Sequence, residues 1–299
     1  MNRSRLGYLF GISAYTLWGL FPLYWQLSDK AHPFEIVSHR AVWTLLFCLI
    51  ALGINKQLGS TFKVFKVPHI FAKLTLASIL ISINWLVYIW AVNNRRIVDA
   101  SLGYYINPLV IIAYGTIFLK EKLRVLQWFS VIVAAVGVAI LTFDTGKLPW
   151  IGLTIALSWG SYGFMKKKLG LGSLESLAIE TVISFIPYFG YILWLGSQGT
   201  GSFGHGWGVS IFLIGAGVVT AVPLLLFNGA TTRLPFSIVG LLQFITPSLN
   251  FILGVWVKHE QMTTGRWIGF LVIWVALIAL GIDLVKSSSP SDDRLAQGD

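Results

Sequence analysis

Charged side chains are scarce in this chain: Asp, Glu, Lys and Arg together make up 11% of its 299 residues. A soluble domain carries roughly a quarter, so an ordinary water-facing surface is excluded. Cysteine is nearly missing too. Cys48, alone within an apolar run, rules out a disulfide framework and a thiolate metal site. The chain also lacks a Gly-x-x-x-x-Gly-Lys-Ser/Thr loop, a His-Glu-x-x-His pair, a Gly-x-Ser-x-Gly elbow and paired membrane aspartates. These absences argue against an ATPase, a zincin, a serine hydrolase and an aspartate-based intramembrane protease. No catalytic residue, cofactor or metal is therefore expected, and any driving energy has to come from a gradient or a separate subunit.

What is present is apolar: 56% of residues are hydrophobic. They come in runs too long for buried core helices, at about Leu6–Leu27, Ile36–Ile54, Ile70–Val92, Leu102–Leu119, Val125–Phe143, Leu148–Met165, Leu174–Leu195, Val209–Gly229, Phe236–Val257 and Trp267–Val285. At 1.5 Å per residue, about 20 helical residues cross a hydrocarbon core of about 30 Å. Lipid accepts only helices and closed barrels, and a barrel would need short alternating strands. The expectation is an all-α polytopic membrane protein with ten transmembrane helices. The apolar start after Arg5 superficially resembles a secretion signal. It is about 22 residues long without a small-residue cleavage pattern, and reads as a retained first helix.

The chain repeats itself. Trp18-Gly19, Arg40, Pro108, Glu121 and Trp128 return as Trp159-Gly160, Glu180, Pro247, Glu260 and Trp267, at offsets of 139 to 141 residues. This predicts two five-helix units, 1–145 and 146–286, followed by a disordered tail at 287–299. An odd number of crossings inverts the second unit, and inverted repeats hold a site near the midplane where they meet. Lysine and arginine set the orientation. With the N-terminus inside, 15 of the 22 fall on the cytoplasmic side. Both termini are then cytoplasmic, and the net charge of +10 reflects short connectors facing anionic lipid rather than nucleic acid. The triplet Lys166-Lys167-Lys168 is read this way. The Gly- and Ser-rich connector 196–208 is expected to be flexible and outside.

Two segments carry the inner polarity. Ser101-Leu102-Gly103-Tyr104-Tyr105-Ile106-Asn107-Pro108 opens the fourth span, and Leu241-Leu242-Gln243-Phe244-Ile245-Thr246-Pro247 opens the ninth. Proline within a helix frees a backbone carbonyl, which makes Pro108 and Pro247 hinge candidates as well as packing kinks. Tyr104 and Gln243 are repeat equivalents one turn before their prolines. With Asn84, Trp85, Trp90, Asn93, Tyr105, Asn107 and Asn250 they could wall an aromatic, amide-bearing cavity for a small solute. Trp18 and Trp159, each beside a glycine, are read as packing residues.

Arg40 and Glu180, offset by 140, carry opposite charges within their spans. Each lies roughly 7–9 Å deep, one toward each leaflet. Arg40 either binds an anionic group or snorkels to headgroups. Glu180 either binds a proton or cation or anchors structure. His39 joins Arg40 as a titratable neighbour or is merely hydrogen-bonded.

The strings Asn84-Trp85…Ile89-Trp90-Ala91-Val92-Asn93, Ser101 to Leu109, Phe118-Leu119-Lys120-Glu121, and Ala230-Thr231-Thr232-Arg233-Leu234 followed by Gln243 to Pro247 resemble the RarD proteins. These belong to the EamA branch of the drug/metabolite transporter superfamily. The resemblance spans nearly the whole chain. It implies an inner-membrane permease of two inverted five-helix halves around a central cavity. Lys120 departs from the glycine usual before the glutamate, and His259 does so in the second copy. The expected partners are a small-molecule solute and the lipid bilayer, with proton coupling possible through Glu180. The alternatives are a channel or an intramembrane enzyme acting on a lipid-soluble substrate.

Overall fold

A computed structural model describes residues 3–25, 27, 31–93, 97–145, 150–257 and 263–287. Their regular structure is entirely helical. In chain order the α-helices are α1 (Arg3–Trp25), α2 (Pro33–Ile54), α3 (Leu58–Lys63), α4 (Pro68–Asn93), α5 (Ile97–Ala113), α6 (Val125–Thr145), α7 (Trp150–Leu169), α8 (Ser173–Gln198), α9 (Trp207–Thr231), α10 (Phe236–Leu242), α11 (Ile245–Ile252) and α12 (Thr264–Ser287). Among the described residues, α2, α6, α8, α9 and the Pro68–Tyr88 stretch of α4 are long and apolar enough to cross a membrane. Gly103–Phe118, Phe236–Asn250 and Trp267–Asp283 are shorter apolar helices. Of the tail expected at 287–299, Ser287 instead closes α12, and the remainder lies outside the described residues.

The outer surface suits hydrocarbon. Ile50, Ile132, Val136, Ile186, Leu193, Leu271 and Ile278 are all exposed. An apolar exterior of this extent marks a protein whose solvent is lipid. The interior reverses the usual contrast, since Glu35, His39, Asn84, Asn107, Lys166, Glu180 and Gln243 are buried.

The helices pack chiefly across the two halves of the chain: α1 on α9 and α11, α2 on α8 and α9, α4 on α7 and α8, α5 on α7 and α10, and α6 on α12. Exchanging each first-half helix for its repeat equivalent maps this set of packings onto itself. The duplication extends to a fine detail. A wide π-helical turn follows α5 at Tyr114–Phe118 and follows α11 at Leu253–Val257, an offset of 139.

The two proline-bearing spans differ. Helix α5 runs unbroken through Pro108. The expected ninth helix is instead interrupted at Gln243–Phe244, ahead of Pro247. Pro247 has no N–H for the Gln243 carbonyl. That carbonyl accepts from the Thr246 N–H at 3.1 Å instead, and the Gln243 and Phe244 N–H groups donate three residues back, to Gly240 and Leu241. The turn tightens and α10 separates from α11. Gly240 permits the close crossing: a Cβ there would lie 2.9 Å from the Pro108 carbonyl oxygen and 2.8 Å from Ile111.

One connector is better ordered than its composition suggests. Glu35, buried near the start of α2, accepts from the backbone N–H groups of Ser202 (2.6 Å) and Phe203 (3.2 Å). The segment expected to be flexible is thus tied to α2, and Glu35 is a buried carboxylate in addition to Glu180.

Candidate functional site: a polar cavity between the halves

A cavity of about 180 Å³ lies where the halves meet. Helix α1 contributes Tyr15, Trp18 and Phe21, α2 Arg40, α4 Asn84, Trp85 and Tyr88, and α5 Tyr104 and Asn107. The second half contributes Trp159 from α7, and Gln243, Thr246 and Asn250 from the broken α10–α11 rod. Three of these are repeat-equivalent pairs: Trp18 with Trp159, Tyr104 with Gln243, and Asn107 with Thr246. The paired tryptophans meet edge to face, ring centroids 5.2 Å apart. Their role is therefore cavity wall as well as packing.

Arg40 is fixed from two sides. Its Nε donates to Thr220 Oγ1 of α9 at 2.8 Å, and its guanidinium carbon lies 4.9 Å from the Trp85 ring centroid. Stacking on an indole face suits the weakly hydrated guanidinium and holds it at the cavity wall. Asn84 is anchored too, donating to the Ile155 carbonyl (2.8 Å) and to Ser158 Oγ (3.1 Å) of α7. By contrast, Asn107 Oδ1, Gln243 Oε1, Asn250 Oδ1, Tyr15 OH and Trp159 Nε1 are buried without a hydrogen-bond partner. Buried polar atoms are ordinarily paired. All five belong to residues that line the one cavity.

The structure brings Arg40, Asn84, Trp85, Tyr104, Asn107, Gln243 and Asn250 together and leaves other candidates aside. His39 accepts from Trp43 Nε1 (3.2 Å), stacks on Phe203 at 4.9 Å and approaches Glu35 at 3.9 Å. It packs against the connector that carries Phe203. Tyr105 turns to α12, edge-on to Phe270 at 5.3 Å. Trp90 packs on Trp150 at 5.6 Å and is largely exposed. The Asn93 side chain lies outside the described residues.

Glu180 also stands apart. Its Oε1 is 2.5 Å from Lys166 Nζ and accepts from Ser176 Oγ at 3.0 Å, while Oε2 accepts from Tyr162 OH at 3.0 Å. Lys166 bonds Ser176 as well. The α7–α8 turn makes this possible, with Gly170 in the left-handed region at φ 61°. Lys166 is therefore not a lipid-facing topology charge but a buried ion-pair partner, and the carboxylate is fully engaged away from the cavity. Among the described residues, no group of three His, Cys, Asp or Glu side chains could hold a metal.

Tyr15, Phe21, Tyr88 and Thr246 were not predicted. Part of the signal was there: Tyr88 lies four residues after Asn84, and Thr246 three after Gln243 and four before Asn250, so each shares a helical face with a predicted residue.

An all-helical chain with an apolar exterior and a polar chamber between duplicated halves has the architecture of a membrane transporter. The sequence model of the EamA-like transporter family matches residues 5–143 and 148–282. The chain belongs to that family. Protein RarD of Streptomyces exfoliatus is 45% identical over 295 residues, covering 98% of this chain and 94% of the relative. The uncharacterized transporter YojE of Bacillus subtilis is 42% identical over 287 residues (95% and 96%), and Protein RarD of Escherichia coli K12 is 37% identical over 285 (95% and 96%). A crystal structure with 15% sequence identity shares the fold at a TM-score of 0.73, covering 96% of this chain and all of that one.

Proposed function

We propose that this protein is a secondary carrier that moves a small solute across the cytoplasmic membrane by alternating access. The two inverted halves rock about the central chamber, and both termini are cytoplasmic. The observation that carries this reading is the chamber itself, walled by repeat-equivalent residues from both halves and containing unpartnered buried polar atoms. The broken α10–α11 rod and the π turns supply backbone that can flex without wholesale loss of hydrogen bonds.

Flux of a metabolite and drug panel into proteoliposomes, with and without a pH gradient, tests the reading. Saturable flux is expected. Ohmic, unsaturated current would make it a channel, and turnover of a lipid without net transport would make it an enzyme. Tyr104→Ala and Gln243→Ala are expected to weaken solute binding more than expression, and unchanged binding would remove both from the site.

In this reading protons act through the Lys166–Glu180 pair, which lies off the cavity and would therefore alter α7–α8 packing rather than touch solute. Glu180→Gln, alone or with Lys166→Met to keep the pair neutral, is expected to abolish pH-driven uptake in inserted protein. Unchanged proton-driven uptake would remove the coupling.

A further inference from the structure

Helices α1 and α9 run antiparallel and close on each other at both ends of their seam. Toward the start of α9, Tyr24 stacks on Phe212 at 5.1 Å and its hydroxyl donates to the Phe212 carbonyl at 2.6 Å. Toward the end of α9, Gly229 lies so near the Phe10 ring that a Cβ would meet it at 2.6 Å. Between these closures the seam parts into an apolar groove of about 310 Å³. Leu17, Leu20 and Phe21 line it from α1, and Val218, Val219 and Val222 from α9. Leu17, Leu20 and Val218 are exposed at its mouth. Val219 is the middle residue of α9, a helix long and apolar enough to cross a membrane, so the groove opens at the depth of acyl chains rather than headgroups.

Phe21 also lines the central chamber, and among the described residues no other side chain belongs to both walls. The two spaces meet at one aromatic ring, yet their chemistry is opposite. The chamber side holds the amide oxygens of Asn107, Gln243 and Asn250, the Tyr15 hydroxyl and the Trp159 indole N–H, all buried without a partner. Such atoms call for donors and acceptors on an occupant. A hydrocarbon chain suits the groove and leaves them unpaired, whereas a wholly polar solute suits the chamber alone. At about 180 Å³ the chamber takes only a small head, while the groove falls within the range of ligand pockets, about 300 to 1,000 Å³.

We infer that the binding site is bipartite: the chamber holds the small hydroxyl- or amide-bearing head of a single-chain amphiphile, and the alkyl tail passes Phe21 into the α1–α9 groove. This deepens the carrier reading by naming the class of solute, and rests on that reading only for flux.

The test uses the full chain in phosphatidylcholine nanodiscs, free of competing detergent. The probe is monolaurin, the glycerol ester of a twelve-carbon acid, carrying a diazirine in its chain. After photolysis, labelled peptides are mapped by mass spectrometry. Labelling within 17–21 and 218–222 is expected to saturate and to be suppressed by excess unmodified monolaurin. Dodecane, a tail without a head, should not suppress it. Asn107→Ala with Gln243→Ala should lower the saturable labelling about tenfold, because the head loses its acceptors while the groove is untouched.

Groove labelling that excess monolaurin leaves unchanged would mean ordinary lipid contact and would overturn the assignment. Suppression by dodecane as strong as by monolaurin, or full saturable labelling in the folded double variant, would overturn it equally. The wild-type competition decides alone if that variant fails to fold. Saturable groove labelling without monolaurin flux in proteoliposomes would sink the carrier reading and leave the bipartite site standing. Saturable flux of water-soluble solutes without saturable groove labelling would do the reverse.

Discussion

Lys166 Nζ and Glu180 Oε1 lie 2.5 Å apart, with both side chains about 3% exposed. Removing one partner from a buried pair strands the other charge and typically costs about 3–5 kcal/mol. Lys166→Met should therefore lower thermal stability in detergent markedly. Adding Glu180→Gln removes the stranded charge while leaving an amide oxygen for Tyr162, so the double variant should recover most of the loss. A double variant as unstable as the sum of the singles would show that the two do not act as a pair.

Glu121 fastens one half of the chain to the other. Its carboxylate accepts from the Phe236 N–H (2.7 Å), the Ser237 N–H (2.8 Å) and Ser237 Oγ (2.7 Å), satisfying the otherwise open start of α10. Glu121→Ala is expected to cost about 1–2 kcal/mol, and Glu121→Gln less. The measurement is the unfolding midpoint of purified protein, and an unshifted midpoint would deny the cap any energetic role.

At Gly240 the α5–α10 crossing leaves no room for a methyl group, because the Pro108 carbonyl and Ile111 stand in its place. Overpacking of this kind costs about 1–3 kcal/mol. Gly240→Ala should depress stability and slow solute flux together, since it wedges the crossing of the two proline-bearing spans. Normal flux and stability would mean that the crossing relaxes freely.

Cys48 is fully buried, so single cysteines can report topology without its removal. The proposed inverted arrangement with cytoplasmic termini predicts that His205→Cys reacts with a membrane-impermeant maleimide on intact cells. Lys122→Cys should react only after permeabilisation. Reaction of both from the same face would contradict the proposed topology.

The helices were legible because lipid imposes a long apolar run on every crossing, and α8 and α9 lie where hydropathy placed them. The break at Gln243–Phe244 was not legible, because Pro108 sits in the equivalent place without interrupting α5. Much of the cavity wall was readable through polar side chains repeated at helical spacing. His39 and Tyr105 were misplaced because a neighbour in sequence points to a different helix face. Lys166 was hidden for another reason. Three lysines at a helix end look alike in sequence, and Lys166 is the one that lies a turn after Tyr162, with which it shares Glu180.

Helices α2 and α8 are each other's repeat equivalents and pack against one another, with Arg40 on one and Glu180 at the matching position of the other. Two identical single-unit subunits would be obliged to place the same charge at both positions of that contact. Joining the units in one polypeptide freed them to diverge, one toward a cationic chamber wall and the other toward an internally neutralised anchor. The asymmetry of the chamber is thus closed to any assembly of two identical copies of either half.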